Sequence, residues 1–263
     1  MELWEKSNLA HQKYRRWAVF LLLLVGVFAC VESPEVKKKR MEDELRLGNE
    51  YLNGGKYKSA LRTLLQAEKT YPEDAYLQNS LGYAYMAMEQ YDLAIRHYKK
   101  AIQIKPDYSE AKNNLGVAYM YKKEWDKAIP YFEEITKDLL YGTPQRPLVN
   151  LGSVYFNKGN YALSEQYYLK ALKIRPNYDD ALYGLGKTYL AMGKIPEAVS
   201  RIEAAIRISP NRPRYHFDLA ETFEKSGDFK KASKAYKEVI RLVPNTPLAF
   251  EASNRLAKIE KEK

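Results

Sequence analysis

The apolar positions of this chain recur with a period of 34 residues. In the stretch 81–106, LGYAYMAMEQYDLAIRHYKKAIQIKP, a leucine, a small residue, an aromatic, an alanine and a proline stand at offsets that return before and after it. Starting the copies at Met41, Ala75, Ser109, Gln145, Asp179 and Pro213 aligns Leu47, Leu81, Leu115, Leu151, Leu185 and Leu219. The next column is small throughout: Gly48, Gly82, Gly116, Gly152, Gly186 and Ala220. Three residues on comes a ring, from Tyr51, Tyr85, Tyr119, Tyr155, Tyr189 or Phe223. The second half of each copy carries another small column, Ala60, Ala94, Ala128, Ser164, Ala198 and Ala232. Spacings of three and four put such columns on one helical face. Each copy therefore predicts two antiparallel helices whose small residues let the backbones approach. A period in the thirties predicts stacked units that bury their apolar faces on their neighbours.

Punctuation supports the pairing. Gly55, Gly159, Gly193 and Gly227 share the slot after the first helix, where a left-handed residue ends it. Pro72, Pro106, Pro176, Pro210 and Pro244 stop the second helix, and Asp74, Asp107, Asn177, Asn211 and Asn245 are candidate caps for the next one. The expected repeats are 41–74, 75–108, 109–144, 145–178, 179–212 and 213–246. The third is two residues longer, with Leu140-Tyr141-Gly142-Thr143-Pro144 in its irregular part. Either its second helix lengthens or the connection bulges. Residues 247–263 predict one more helix, with Thr246 as N-cap, Pro247 in its first turn, and Leu248, Ala252, Leu256 and Ile259 as a stripe that covers the last open face.

In front of the array, a basic start with Lys13, Arg15 and Arg16 leads into WAVFLLLLVGVFA, residues 17–29. Thirteen residues of helix fall about 10 Å short of a ~30 Å hydrocarbon core, and the pattern is that of a secretory signal. The run ends at Cys30, the only cysteine, and Val27-Phe28-Ala29-Cys30 resembles a bacterial lipobox. By that resemblance residues 1–29 are a lipoprotein signal and Cys30 becomes the acylated first residue. A short membrane anchor or an ordinary signal peptide are the other readings of the run. Val31 after the cysteine, where such lipoproteins carry Asp for inner-membrane retention, favours the outer membrane. Residues 30–40 read as a flexible tether, whose Lys37, Lys38, Lys39 and Arg40 either touch anionic headgroups or form a solvated lead-in.

Composition excludes more than it selects. A single cysteine forbids an internal disulfide. The net charge of +10 falls to +8 beyond residue 29 and is spread over polar helix faces, which argues against nucleic acid. His97 and His216 have no Cys or carboxylate at metal-ligand spacing, the glycines fall on repeat positions, and neither Gly-x-Ser-x-Gly nor His-Glu-x-x-His occurs. The expectation is a protein without enzymatic activity, cofactor or metal.

The columns in 41–246 resemble the tetratricopeptide repeat in every copy. That implies an all-α fold, a right-handed superhelical α-solenoid of six helix-turn-helix units with a C-terminal capping helix. It also implies a concave groove lined by the second, fifth, sixth, ninth and twelfth residues of the first helices. Those positions supply Asn49, Tyr76, Asn79, Tyr83, Met86, Asn113, Asn114, Val117, Met120, Asn150, Phe156, Tyr183 and Lys187. Asparagine both donates and accepts, which suits an extended peptide backbone, while Tyr and Met offer adaptable apolar contact. The carboxylate clamp of chaperone-binding members is incomplete, because Leu45 and Tyr76 stand where its basic residues belong.

Leu140-Tyr141-Gly142-Thr143-Pro144, followed by Asn150-Leu151-Gly152, is similar to the joint between the third and fourth repeats of the type IV pilus lipoproteins of the PilF/PilW type, the pilotins. That resemblance implies a periplasm-facing outer-membrane lipoprotein of the bacterial envelope whose groove, with Asn79, Tyr83, Asn113 and Asn114 central, grips secretin subunits. The alternative is a general periplasmic adaptor for peptidoglycan or exopolysaccharide machinery.

Overall fold

A computed structural model describes residues 33–138 and 140–261. The signal-like run, Cys30 and the lipobox lie outside the described residues. Among those described, thirteen helices and no strand occur: α1 Pro34–Asn53, α2 Tyr57–Thr70, α3 Ala75–Ala87, α4 Tyr91–Ile104, α5 Ser109–Tyr121, α6 Trp125–Ile135, α7 Gln145–Asn157, α8 Tyr161–Ile174, α9 Asp179–Ala191, α10 Ile195–Ile208, α11 Pro213–Lys225, α12 Phe229–Leu242 and α13 Pro247–Lys261. None is long and apolar enough to cross a membrane. The fold is an all-α helical repeat array, as the columns predict.

The chain divides into two compact units, one ending at Met88 and the other beginning at Glu89. In the first, α1, α2 and α3 close on Leu52, Leu64, Leu77 and Leu81. In the second, each helix from α4 to α13 packs on the next, and the first helices α5, α7, α9 and α11 also pack on one another. In this second unit the first helices thereby form one layer.

The glycine column has a definite cause. A Cβ on Gly116 would lie 2.7 Å from the ring of Phe132, and one on Gly152 would lie 2.9 Å from Tyr168. Gly186 faces Ile202 at 2.6 Å and the backbone of Ala198 at 3.2 Å. The glycine thus makes room for the large residue four places after the small column of the partner helix. Ser164, the one polar member of that column, is buried with its hydroxyl donating to the Gly152 carbonyl at 2.9 Å. Leu47 departs from its column and is 39% exposed, because among the described residues no preceding repeat covers it.

Turn chemistry agrees in four repeats and varies in two. Gly55, Gly159, Gly193 and Gly227 all have positive φ. Glu89 and Lys123 fill the same slot at φ 60° and 59°. Lys123 closes its helix as Gly159 does, with the next residue's N–H reaching back to Tyr119 at 2.9 Å. A side chain in that region costs about 1–2 kcal/mol and the added chain entropy of glycine offsets about 0.4–1 kcal/mol of the relief, so Lys123→Gly should stabilise the second compact unit by about 0.5–1 kcal/mol. Urea unfolding of the two proteins checks this.

The residues before the helix-ending prolines are pushed to extended backbone: Lys105 has φ −129° and Arg175 −133°. Of the acidic and amide residues beside those prolines, Asp74 caps a helix, accepting from Leu77 N–H at 2.8 Å. The N-caps of α5, α9 and α11 are instead Tyr108, Tyr178 and Arg212, with no side-chain cap. Thr246 caps α13 through its hydroxyl, which accepts from Ala249 N–H at 3.3 Å.

Two expectations need correcting or refining. The segment 30–40 is not a flexible tether from Pro34 onward, since α1 begins there. Ser33 caps it, Pro34 occupies the first turn and Glu35 favours the positive helix end, a start signal that outweighs the four following cations. The long third repeat does not lengthen its second helix. α6 stops at Ile135, with Pro130 inside it, and the extra residues enlarge the connection before α7.

Candidate functional site

The face of the first helices carries the residues that repeat spacing assigns to a groove. In the first compact unit, α1 holds Asn49 half-buried, and α3 holds Tyr76 and Tyr83, which are 50% and 48% exposed. Asn79 and Met86, also on α3, are half-buried.

In the second compact unit the same face is knitted from helix to helix. Asn113 on α5 is buried, and its carbonyl oxygen accepts from Asn150 Nδ2 on α7 at 3.1 Å. This pair serves the array before any partner. Asn114, Val117 and Met120 remain half-buried on α5. On α9 the Tyr183 ring stacks on Tyr215 of α11, centroids 4.2 Å apart, and its hydroxyl donates to the Asp218 carboxylate. Burial and that carboxylate push the Tyr183 phenol far up from its ordinary value. Asp218 is itself buried and pairs with Arg214 Nε at 2.7 Å. Toward α13, Arg255 pairs with Glu221 at 3.2 Å and Glu224 at 3.5 Å.

Lys187 on α9 is different. Its ammonium lies 5.2 Å from the Phe156 ring centre and 5.7 Å from that of Tyr183. It makes no ion pair among the described residues. A cation held over two ring faces keeps part of its charge available to an incoming carboxylate or carbonyl.

The structure divides these positions. Asn113, Asn150 and Tyr183 bond within the array, Phe156 and Lys187 form a half-buried aromatic and cationic pair, and Tyr76 and Tyr83 stand exposed in the first unit. The sequence reading missed Arg214, Asp218 and Glu221, although they hold the second, sixth and ninth positions of the sixth repeat. Arg255 holds the ninth place of the capping helix. Tyr215 lies off the pattern, and only its stack on Tyr183 reveals it. Among the described residues no group of three or more His, Cys, Asp or Glu is placed to hold a metal.

Comparison with known proteins agrees with this geometry. Models of the tetratricopeptide repeat match residues 113–140, 145–211, 183–247 and 217–260, and a TPR repeat model matches 82–123. No curated protein matches the sequence. Among solved structures, Pseudomonas aeruginosa pilF is 20% identical, with a TM-score of 0.70 over 83% of this chain and 99% of its own. PilW, described as a widely conserved type IV pilus biogenesis factor, is 20% identical, with a TM-score of 0.74 over 80% of this chain and 97% of its own. A chain of the Cut9–Hcn1 hetero-tetramer of the APC/C is 19% identical, with a TM-score of 0.73 over 84% of this chain and 43% of its own. The repeat models, the paired helices and the shared small-residue columns together make this chain an array of tetratricopeptide repeats.

Proposed function

We propose that this chain is a membrane-anchored protein-binding scaffold that assists assembly or outer-membrane localisation of the type IV pilus secretin. The observation that carries the reading is extent. The array spans 99% of pilF and 97% of PilW, whereas it spans 43% of the Cut9–Hcn1 chain despite a similar TM-score. The match thus runs over nearly the whole length of both pilus proteins. The signal-like run ending at Cys30 supports an envelope location, and Val31 supports the outer membrane.

The mechanism is physical. An acyl anchor on Cys30 holds the first-helix face near the membrane and raises the local concentration of any subunit it grips. Lys187 with Phe156, and Tyr83 in the first compact unit, supply the contacts not already used within the array.

Tyr83→Ala with Lys187→Ala should weaken binding of purified secretin subunit by at least tenfold. Both side chains lie outside the core, so the helical content should stay unchanged. Unaltered secretin affinity of this variant would refute the assignment of these contacts. Absence of any secretin binding by the unaltered protein would refute the pilus reading itself. Metabolic palmitate labelling of the natural chain and of Cys30→Ser tests the anchor: label should appear in the first and vanish in the second.

A further inference from the structure

A second surface lies among α10, α11 and α12, away from the groove positions. It is a cavity of about 580 Å³ with Ile206, Leu219, Phe223 and Ala235 as its apolar lining. That volume lies within the range of sites that hold a small ligand or one large side chain.

Comparison of repeats within this chain says what the cavity fits. Each repeat has a ring at its eleventh position, on the first helix, whereas the twenty-third residue, on the second, varies and is Thr63 in the first repeat and His97 in the second. In the third repeat these are Tyr119 and Tyr131, stacked with centroids 6.0 Å apart and planes 17° apart. In the fourth they are Tyr155 and Tyr167, at 5.4 Å and 1°. In the fifth, Arg201 faces Tyr189. In the sixth the first ring is Phe223, but the twenty-third residue is Ala235. The cavity is lined by Phe223, which is 6% exposed, and by Ala235, at the position that carries the second ring in the third and fourth repeats.

The surroundings repeat as well. Lys127 lies 5.8 Å over Tyr119, and Lys231 at the corresponding position lies 5.3 Å over Phe223. A lysine there is compatible with a stacked pair, because the third repeat holds both. Glu133 of the third repeat stands beside the Tyr155–Tyr167 pair, and its charge helps to raise both phenols. Its counterpart on the wall of the cavity is Glu203. A carboxylate in that place accepts a hydrogen bond from a phenol, which favours tyrosine over phenylalanine. Arg207, Lys234 and His216 complete the rim; the two cations make no ion pair among the described residues, the His216 ring lies 2.7 Å from the Pro210 carbonyl, and Glu238 is held by Arg241 at 2.6 Å. Residues with carboxylates beside the tyrosine would meet those two cations.

We propose that the cavity between α10 and α12 is a docking site for a tyrosine side chain of a partner protein, flanked by acidic residues and stacked on Phe223 in the slot that Ala235 leaves open. This surface does not depend on the pilus reading. A stacked aromatic pair adds only modestly to what its buried area contributes, so a single side chain binds weakly and flanking charge adds to it.

The probe is the peptide acetyl-Asp-Tyr-Asp-amide, titrated into the full chain in zwitterionic micelles and followed by amide NMR shifts. Saturable shifts are expected at Leu219, Phe223 and Ala235. Acetyl-Asp-Ala-Asp-amide should give none there, and acetyl-Lys-Tyr-Lys-amide should bind at least tenfold more weakly. Ala235→Tyr fills the slot from within, as Tyr167 does, and should abolish the response. Phe223→Leu keeps the site apolar without a ring face and should weaken binding by at least threefold; this variant decides the matter should Ala235→Tyr misfold. Equal binding of the tyrosine and alanine peptides would overturn the proposal, as would binding that survives both substitutions. Self-association of the natural chain that Ala235→Tyr abolishes would also overturn it, assigning the slot to a second copy.

Discussion

Gly184→Val is expected to destabilise the middle of the second compact unit by about 3 kcal/mol, near the upper end of what overpacking costs. Gly184 is the sixth residue of its repeat, in α9 and outside the main glycine column, so spacing assigns it to the groove face and gives it no packing role. A Cβ there would stand 2.3 Å from Cζ of Tyr168 and 2.6 Å from its hydroxyl oxygen. The ring cannot step aside. Tyr168 is buried, and its other side meets Gly152, where a Cβ would lie 2.9 Å from the ring. Two glycines on two helices thus form one slot for one ring. Gly184→Ala should cost less, since alanine returns about 0.8–1 kcal/mol of helix propensity. Pairing Gly184→Val with Tyr168→Leu should recover more than half of the loss, whereas Gly142→Ala, with nothing within 4 Å, should be nearly neutral. Repeat arrays need not unfold in one step, so hydrogen exchange of α8 and α9 is the measurement, alongside the urea midpoint. Gly184→Val with undiminished protection in those helices would refute the packing account.

Arg214→Met should cost about 2 kcal/mol at neutral pH. Asp218 is buried, receives the Tyr183 hydroxyl and pairs with Arg214. Removing the cation strands a buried carboxylate; breaking such pairs costs about 3–5 kcal/mol, and the smaller value allows for an Arg214 side chain that is 56% exposed. Urea midpoints of the two proteins test this; an unchanged midpoint would refute the account, and Arg214→Lys, which keeps the charge, should recover part of the loss.

The same cluster shows how far the candidate site is legible in the sequence. The groove rule named Tyr183, yet its hydroxyl serves Asp218 and its ring serves Tyr215. The rule also named Asn113, which bonds to Asn150 inside the layer. A position rule reports the direction a Cβ takes, and long side chains then turn toward whichever neighbour satisfies them. Lys187 is half-buried and lies over two ring faces, which attract its charge without neutralising it.

Periodicity by itself determined the helix pairs, their order, the glycine turns and the capping helix. These follow from local backbone preference and from one apolar stripe per helix, both written in residues close together along the chain. It also located the irregular joint, though not that α6 would shorten there. The tertiary structure alone decided which large residue each small one accommodates and which groove positions bond within the array. It also decided that Phe223 faces a cavity where Tyr119 and Tyr155 face rings. Such matters depend on pairs of side chains from different helices competing for one space, and no residue carries its partner's shape in its own spacing.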